Sequence, residues 1–99
     1  MGVNTMHQIK HIHDGNKGAF FIEVKNQRVA TLDYVMANDS KLIIEHTGVD
    51  KSLKGQGIGK KLLEKLVEFT RKKHLSVVPI CSFASAMLNK TPEWQDVLS

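Results

Sequence analysis

The sequence predicts an α+β fold, an α/β sandwich-like arrangement of a mixed, mostly antiparallel five-stranded sheet with one long helix after the fourth strand and one short C-terminal helix. Two observations predict it. Apolar residues alternate with a period of two through the first half of the chain, and the period changes to 3.6 near Ile58. A short apolar run then follows the helical pattern, as a right-handed crossover to a parallel strand requires.

The first four strands are predicted between turn signals. They cover residues 7–13, 20–24, 29–36 and 41–49. The turn signals are Asp14-Gly15-Asn16, Asn26-Gln27 and Asn38-Asp39-Ser40, residue types that favour tight hairpins. Because each strand is joined to the next by a hairpin, these four strands should be antiparallel.

The second half of the chain predicts the helices and the last strand. An apolar stripe predicts a helix from residue 58 to about 74, formed by Ile58, Leu62, Leu63, Leu66 and Val67. Residues 76–81 read as a buried fifth strand, parallel to the fourth strand or a neighbour. Residues 83–88 follow as a brief helix with Ser82 as its N-cap, and a last helical turn surrounds Trp94.

Composition limits the class of protein. The 99 residues, 41% hydrophobic and 24% charged, suit one globular domain, 1–99, with a single core. No apolar run approaches the roughly 18 residues that a membrane helix needs, and the N-terminus lacks the apolar segment of a signal peptide. The single cysteine excludes an intramolecular disulfide. We therefore expect a cytoplasmic protein, as a monomer or a weak dimer, with no membrane partner.

A glycine-rich segment between the fourth strand and the long helix is the main functional candidate. Alternate glycines at a helix start leave backbone N–H groups unshielded, and the helix dipole adds positive charge there, so a pyrophosphate fits. The structural alternative is a tight strand-to-helix turn. The spacing matches neither a P-loop nor a Rossmann fingerprint. The segment reads Lys54, Gly55, Gln56, Gly57, Ile58, Gly59, Lys60.

The stretch from Val49 to Gly59 resembles motif A of the GNAT-type N-acetyltransferases, with Lys54 where that family usually has Arg or Gln. More narrowly, His46, Thr47, Val49, the glycine turn and residues 79–83 look like a minimal single-domain GNAT-like subfamily. The resemblance covers about residues 7–82 and implies a GNAT-like fold. It also implies a C-terminal arm reduced to the 18 residues after Cys81, without the helix that carries the family's usual tyrosine proton donor.

The resemblance implies that acetyl-CoA, or coenzyme A, is the ligand. The backbone from Thr47 to Val49 would hold the pantetheine arm as though it were another strand, and the N–H groups from Gly55 to Lys60 would hold the pyrophosphate. The implied activity is transfer of the acetyl group to an unidentified amine, either a small molecule or a protein lysine or N-terminus. The transfer would proceed by direct attack or through a cysteine.

Two residues are candidates for catalysis. Cys81 should end the fifth strand before a short helix, as a nucleophile or as a proton donor; the alternative is a small buried hydrophobe. His46 is the candidate base or water-positioning group, and the alternative is a structural histidine. His46 and Glu45 lie on opposite faces of a regular strand, so at most one can point into the cleft.

Other functions rest on weaker signals. A non-catalytic acyl-CoA-binding or sensor module is the main alternative, favoured by the reduced arm and the missing tyrosine. A small basic nucleic-acid-binding domain rests only on the net charge of +4, and the lysines are better explained as the polar face of the long helix. His7, His11 and His13 lack a Cys or carboxylate partner at zinc spacing, so we expect no metal site.

Overall fold

A computed structural model describes residues 8–99 of the chain. The five strands form one sheet in chain order, antiparallel from the first to the fourth, with the fifth parallel to the fourth. The predicted mixed sheet with one long and one short helix is therefore confirmed. The elements are β1 (Lys10–Asp14), β2 (Lys17–Val24), β3 (Gln27–Asn38), β4 (Lys41–Val49), α1 (Ile58–Lys73), β5 (Ser76–Pro79) and α2 (Ser82–Lys90), with 3₁₀ turns at Lys51–Leu53 and Pro92–Val97.

The hairpin turns lie close to their predicted places. The second turn is one residue earlier than predicted: Lys25 and Asn26 form it, with φ of 53° and 65°, and Gln27 already pairs with Val24. Two successive positive φ angles give the I′ geometry whose twist matches that of the flanking strands. The predicted start of the first strand at His7 lies outside the described residues.

The predicted boundary between the fifth strand and the short helix is wrong by two residues. β5 ends at Pro79, because the N–H groups of Ile80 and Cys81 both turn to the Ile44 carbonyl, at 3.1 and 3.3 Å. Cys81 is the N-cap of α2 in an extended conformation, and Ser82 is the first helical residue, so Ser82 is not the N-cap. Cys81 thus lies past the strand, at the start of the helix.

The core lies on one face of the sheet. The predicted stripe of α1 is buried, no member being more than 3% exposed, and it shares one apolar cluster with Leu32, Leu42 and Ile44 of the sheet. Buried residues of α2 and of the last 3₁₀ turn, among them Leu88 and Trp94, belong to the same cluster. The helices therefore converge on the sheet face that Ile44 occupies.

β4 is irregular where the site forms. Tyr34 lies opposite Ile44 and Asp33 lies opposite His46, so Glu45 is an extra residue on β4, a β-bulge. β5 pairs only with residues 41–44 of β4. Beyond the bulge, residues 46–49 pair with β3 on one side and have no strand partner on the other within residues 8–99. A gap therefore opens between the two parallel strands.

Candidate active site

A cleft of about 420 Å³ lies at the open end of this gap, beside the start of α1. The C-terminal half of β4, the glycine turn and α2 form its walls. Eight of the predicted ligand-binding residues line it, together with three residues that the sequence analysis did not assign to it. The predicted ones are Thr47, Val49, Lys54, Gly55, Gly57, Ile58, Gly59 and Lys60, and the others are Leu53, Phe83 and Met87.

The glycine turn presents bare backbone N–H groups to the cleft. Gly55 and Gly57 have φ of 82° and 70°, and β-carbons there would meet nothing within 4 Å. Glycine is therefore favoured at both positions by the backbone conformation, and not by a lack of space for a side chain. The first helical hydrogen bond runs from the Lys61 N–H to the Gly57 carbonyl. Within residues 8–99, the six N–H groups of residues 55–60 have no acceptor in the protein. This run, with exposed Lys54 and Lys60, is suited to an anion.

The third glycine of the motif has a different role. A β-carbon on Gly59 would lie 2.7 Å from Cζ of Phe83, so glycine at this position admits the Phe83 ring against the first turn of α1. Phe83 and Met87, one helical turn apart, form the α2 wall of the cleft. The i,i+4 spacing of Phe83 and Met87 could have indicated that they share one face of α2. Nothing in the sequence, however, indicates that this face packs against Gly59.

Two residues of the motif contribute little through their side chains. The Gln56 amide donates to the Ser52 carbonyl at 3.4 Å, and Gln56 does not line the cleft. The Ile58 side chain is only 3% exposed and belongs to the core. Ile58 therefore reaches the cleft through its backbone, and the Gln56 side chain takes no part in it.

Cys81 contacts Thr47 across the gap. Its thiol donates to the Thr47 hydroxyl at an Sγ–Oγ1 distance of 3.4 Å, and the residue is half-buried. Burial, the largest single effect, disfavours the thiolate. The Thr47 hydroxyl and the N–H groups of Ala84, Phe83 and Thr47 favour it, and the net result is a lowered pKa of the Cys81 thiol. The sulfur is therefore a stronger candidate for chemistry than a fully buried cysteine.

The structure does not bring His46 together with Cys81. Because Glu45 is an extra residue, Thr47 lies on the face that Ile44 and Leu32 share, and His46 lies on the opposite face with Asp33. His46 is exposed, and its ring leans over Gly48, where a β-carbon would be 3.1 Å from Nε2. His46 therefore lies on the face of the sheet away from Cys81 and does not line the cleft.

The other histidines of the sequence analysis lie away from the cleft. His11 Nε2 and His13 Nδ1 are 2.6 and 3.0 Å from the hydroxyl of Tyr34. His7 lies outside the described residues. Within residues 8–99 no group of three or more His, Cys, Asp or Glu side chains is placed to hold a metal ion. No helix in the described part of the chain is long and apolar enough to cross a membrane.

The family follows from the comparisons with known proteins. The family profile described as GCN5-related N-acetyl-transferase matches residues 19–97. The chain therefore belongs to the GCN5-related N-acetyltransferase family, and the resemblance seen in the glycine turn is confirmed. No curated protein matched the chain.

Solved structures agree with this assignment. A GCN5-like protein of Staphylococcus aureus is 38% identical, with a TM-score of 0.75 over 97% of this chain and 91% of that one. A ribosomal-protein-alanine N-acetyltransferase of Brucella melitensis shares the fold at 16% identity and a TM-score of 0.64, over 78% of this chain. A Bacillus anthracis protein assigned as a streptothricin acetyltransferase was solved with acetyl coenzyme A, at 19% identity and a TM-score of 0.56 over 69% of this chain. The chain spans 62% and 39% of the last two proteins.

Proposed function

We propose that the chain binds acetyl-CoA in this cleft and transfers the acetyl group to an amine, on a small molecule or on a protein lysine or N-terminus. One observation carries the proposal: among residues 8–99, the six successive N–H groups of residues 55–60 have no acceptor, and they lie beside the unpaired edge of β4. Family membership and the acetyl coenzyme A bound to the Bacillus anthracis protein support the same ligand.

Two neighbouring parts of the cleft suit two successive parts of acetyl-CoA, the pyrophosphate and the pantetheine arm. The bare N–H groups and the two lysines suit the pyrophosphate, and the free edge of residues 45–49 suits the amides of pantetheine, as in β-augmentation. A larger hollow of about 740 Å³ lies near Lys73, at the other end of α1. The helix dipole is negative at that end and disfavours phosphate, so we assign the ligand to the smaller cleft.

Cys81 is the proposed reactive group. Bound acetyl-CoA would supply the acetyl group as a thioester. As a relay, the Cys81 thiolate would attack the thioester carbonyl and release coenzyme A as its thiolate; the amine would then attack the acetyl-cysteine and release the Cys81 thiolate again. As a proton donor in direct attack, Cys81 would protonate the departing coenzyme A thiolate. The hydrogen bonds that lower the pKa of the thiol favour the relay. His46, from the opposite face, is the proposed base that accepts the proton of the amine.

A non-catalytic acyl-CoA-binding or sensor module is the second candidate. It is favoured by the position of the single tyrosine: the Tyr34 hydroxyl is hydrogen-bonded to His11 and His13, which do not line the cleft. Protonation of a leaving thiolate by tyrosine is therefore not available from residues 8–99.

Binding and turnover are tested separately. We expect coenzyme A to raise the melting temperature saturably, and pantetheine, which lacks the pyrophosphate, to have little effect. Equal shifts with both ligands, or none at millimolar coenzyme A, contradict the assignment of the glycine turn. We then expect thiol release from acetyl-CoA with some member of an amine panel. Binding without release favours the sensor.

A further inference from the structure

The bulge at Glu45 determines which residue of β4 meets Cys81. In a regular strand the side chain at position 46 would share the face of Ile44. The extra residue reverses the alternation, and Thr47 takes that face instead. The Thr47 hydroxyl accepts a hydrogen bond from the Cys81 thiol at an Sγ–Oγ1 distance of 3.4 Å.

We propose that Thr47 is the positioning residue of Cys81, and that its hydroxyl holds the sulfur at the gap between β4 and α2. This inference rests on the function proposed above, because it gives Cys81 a reason to be held there. A hydroxyl accepts a hydrogen bond from the thiol and, after rotation about its C–O bond, donates one to the thiolate. Thr47 therefore stabilises the sulfur in both protonation states.

The backbone of Cys81 is already anchored. Its N–H and that of Ile80 bond to the Ile44 carbonyl, and its carbonyl accepts from the N–H of Ser85 at 2.9 Å. With the backbone fixed, the position of the sulfur depends only on the side-chain torsion χ1 of Cys81. A hydrogen-bond partner on β4 selects the torsion that directs the sulfur across the gap. Thr47 provides that partner.

No charged side chain explains the sulfur's environment. On β4 the nearest ionisable residues in sequence are Glu45 and His46, both exposed, and His46 lies on the opposite face. β5 has no ionisable side chain, and α2 has only Lys90, at its far end. The glycine turn and the start of α1 contribute Lys54 and Lys60 to the same cleft, but both are exposed and neither is among the groups that act on the thiol. The groups that favour the thiolate are hydrogen-bond donors on Thr47, Phe83 and Ala84. Removal of the hydroxyl alone should therefore have a measurable effect.

The test is the pH profile of alkylation by iodoacetamide without coenzyme A. Cys81 is the single cysteine, so the rate reports its thiolate directly. We expect Thr47→Val, which keeps the shape, to raise the midpoint by about one pH unit, because it removes one hydrogen bond to a charged sulfur. Thr47→Ser should restore the wild-type midpoint to within about 0.3 units.

Thr31→Val is the matched control. Thr31 lies on β3 of the same sheet, and its hydroxyl bonds to Asp33 at 2.8 Å, away from Cys81. Its profile should match that of the wild type. An unchanged midpoint in Thr47→Val, or an equal shift in Thr31→Val, overturns the proposal. Thr47→Ala provides the same readout should the valine variant fail to fold.

The two proposals fail in different ways. If the thiol midpoint shifts in Thr47→Val but the protein releases no coenzyme A from acetyl-CoA with any amine of the panel, Thr47 remains the positioning residue and acetyl transfer is rejected. If the protein turns over acetyl-CoA but the alkylation midpoint does not shift in Thr47→Val, acetyl transfer stands and the role of Thr47 is rejected. Loss of turnover in Thr47→Val that Thr47→Ser restores supports both.

Discussion

Two regions of the molecule bring polar groups together: the cleft, and a cluster of two histidines and a tyrosine. Only in the cluster are these groups hydrogen-bonded to one another. In the His–Tyr cluster, formed by His11, His13 and Tyr34, the phenol is 1% exposed and bonded to both imidazoles. In the cleft, six N–H groups and the edge of β4 have no protein partner within the described residues. Groups that are paired internally hold the fold together, whereas unpaired groups remain available to a ligand.

The donor and acceptor capacities of the three side chains explain why the His–Tyr cluster leaves the phenol no group free for a ligand. A phenol donates one hydrogen bond and accepts others, so one imidazole accepts from Tyr34 while the other donates to it. Gly18 makes the arrangement possible, because a β-carbon there would lie 2.3 Å from the Tyr34 hydroxyl. His11 also stacks on Phe20 with ring centroids 4.0 Å apart. The cluster therefore attaches β1 to the core.

The largest expected effect is on turnover. Cys81→Ala should lower the rate of acetyl transfer by about 100-fold or more, the usual contribution of a nucleophile or proton donor, and leave the Kd for coenzyme A within about threefold. Steady-state kinetics and isothermal titration calorimetry measure the two quantities. Full activity in the alanine variant would assign Cys81 to packing alone.

Next is the glycine turn. Gly57→Val should weaken coenzyme A binding by about tenfold or more, because a branched side chain disturbs both the positive φ and the approach of a ligand to the backbone. Gly15→Val is the control: it also replaces a glycine of positive φ, 65°, with open space around it, in the β1–β2 turn. Similar Kd values for the two variants would contradict the assignment of the turn.

A change in the cluster should act on stability alone. Tyr34→Phe leaves two imidazoles without their shared partner and should lower the free energy of unfolding by about 1–3 kcal/mol. Coenzyme A affinity should stay unchanged. Urea denaturation followed by Trp94 fluorescence measures the first quantity, and a loss of affinity in the folded variant would show that the two regions are coupled.

The smallest effect is a pH dependence. Desolvation, and next the charge of His13, lower the pKa of His11 below its ordinary value of 6.5. The unfolded state then binds more protons, so this group destabilises the fold as the pH falls below about 6.5 and has no effect above that value. Burial raises the pKa of Tyr34 to about 12, so the phenol stays protonated throughout this range.

Denaturation midpoints between pH 5 and 8 test this linkage. His11→Gln should flatten the decline of stability on the acid side, because the amide does not titrate. His74→Gln is a suitable control, since His74 caps the C-terminus of α1 through its backbone and is exposed. An equal flattening by the two variants would remove His11 as the cause.

Several features of the fold could be predicted because they depend on local chemistry. The stripe of α1 followed from a period of 3.6, and its five predicted members are buried. The glycine turn was predicted as an anion site because alternate glycines at a helix start leave backbone N–H groups unshielded, and the N–H groups of residues 55–60 have no acceptor within the described residues. Errors at Gln27, Ser82 and Cys81 were of one or two residues, at boundaries where neighbouring elements determine the hydrogen bonds.

The composition of the site depended on contacts distant in sequence. Sequence alternation favoured His46 over Glu45 as the residue that faces the cleft. The bulge, which arises from pairing with β3, placed Thr47 there instead and His46 on the opposite face. The Phe83 ring against Gly59, and the two imidazoles on Tyr34, join residues more than 20 positions apart. Periodicity and turn chemistry therefore determined the elements and the exposed backbone, whereas strand register and packing decided which side chains meet.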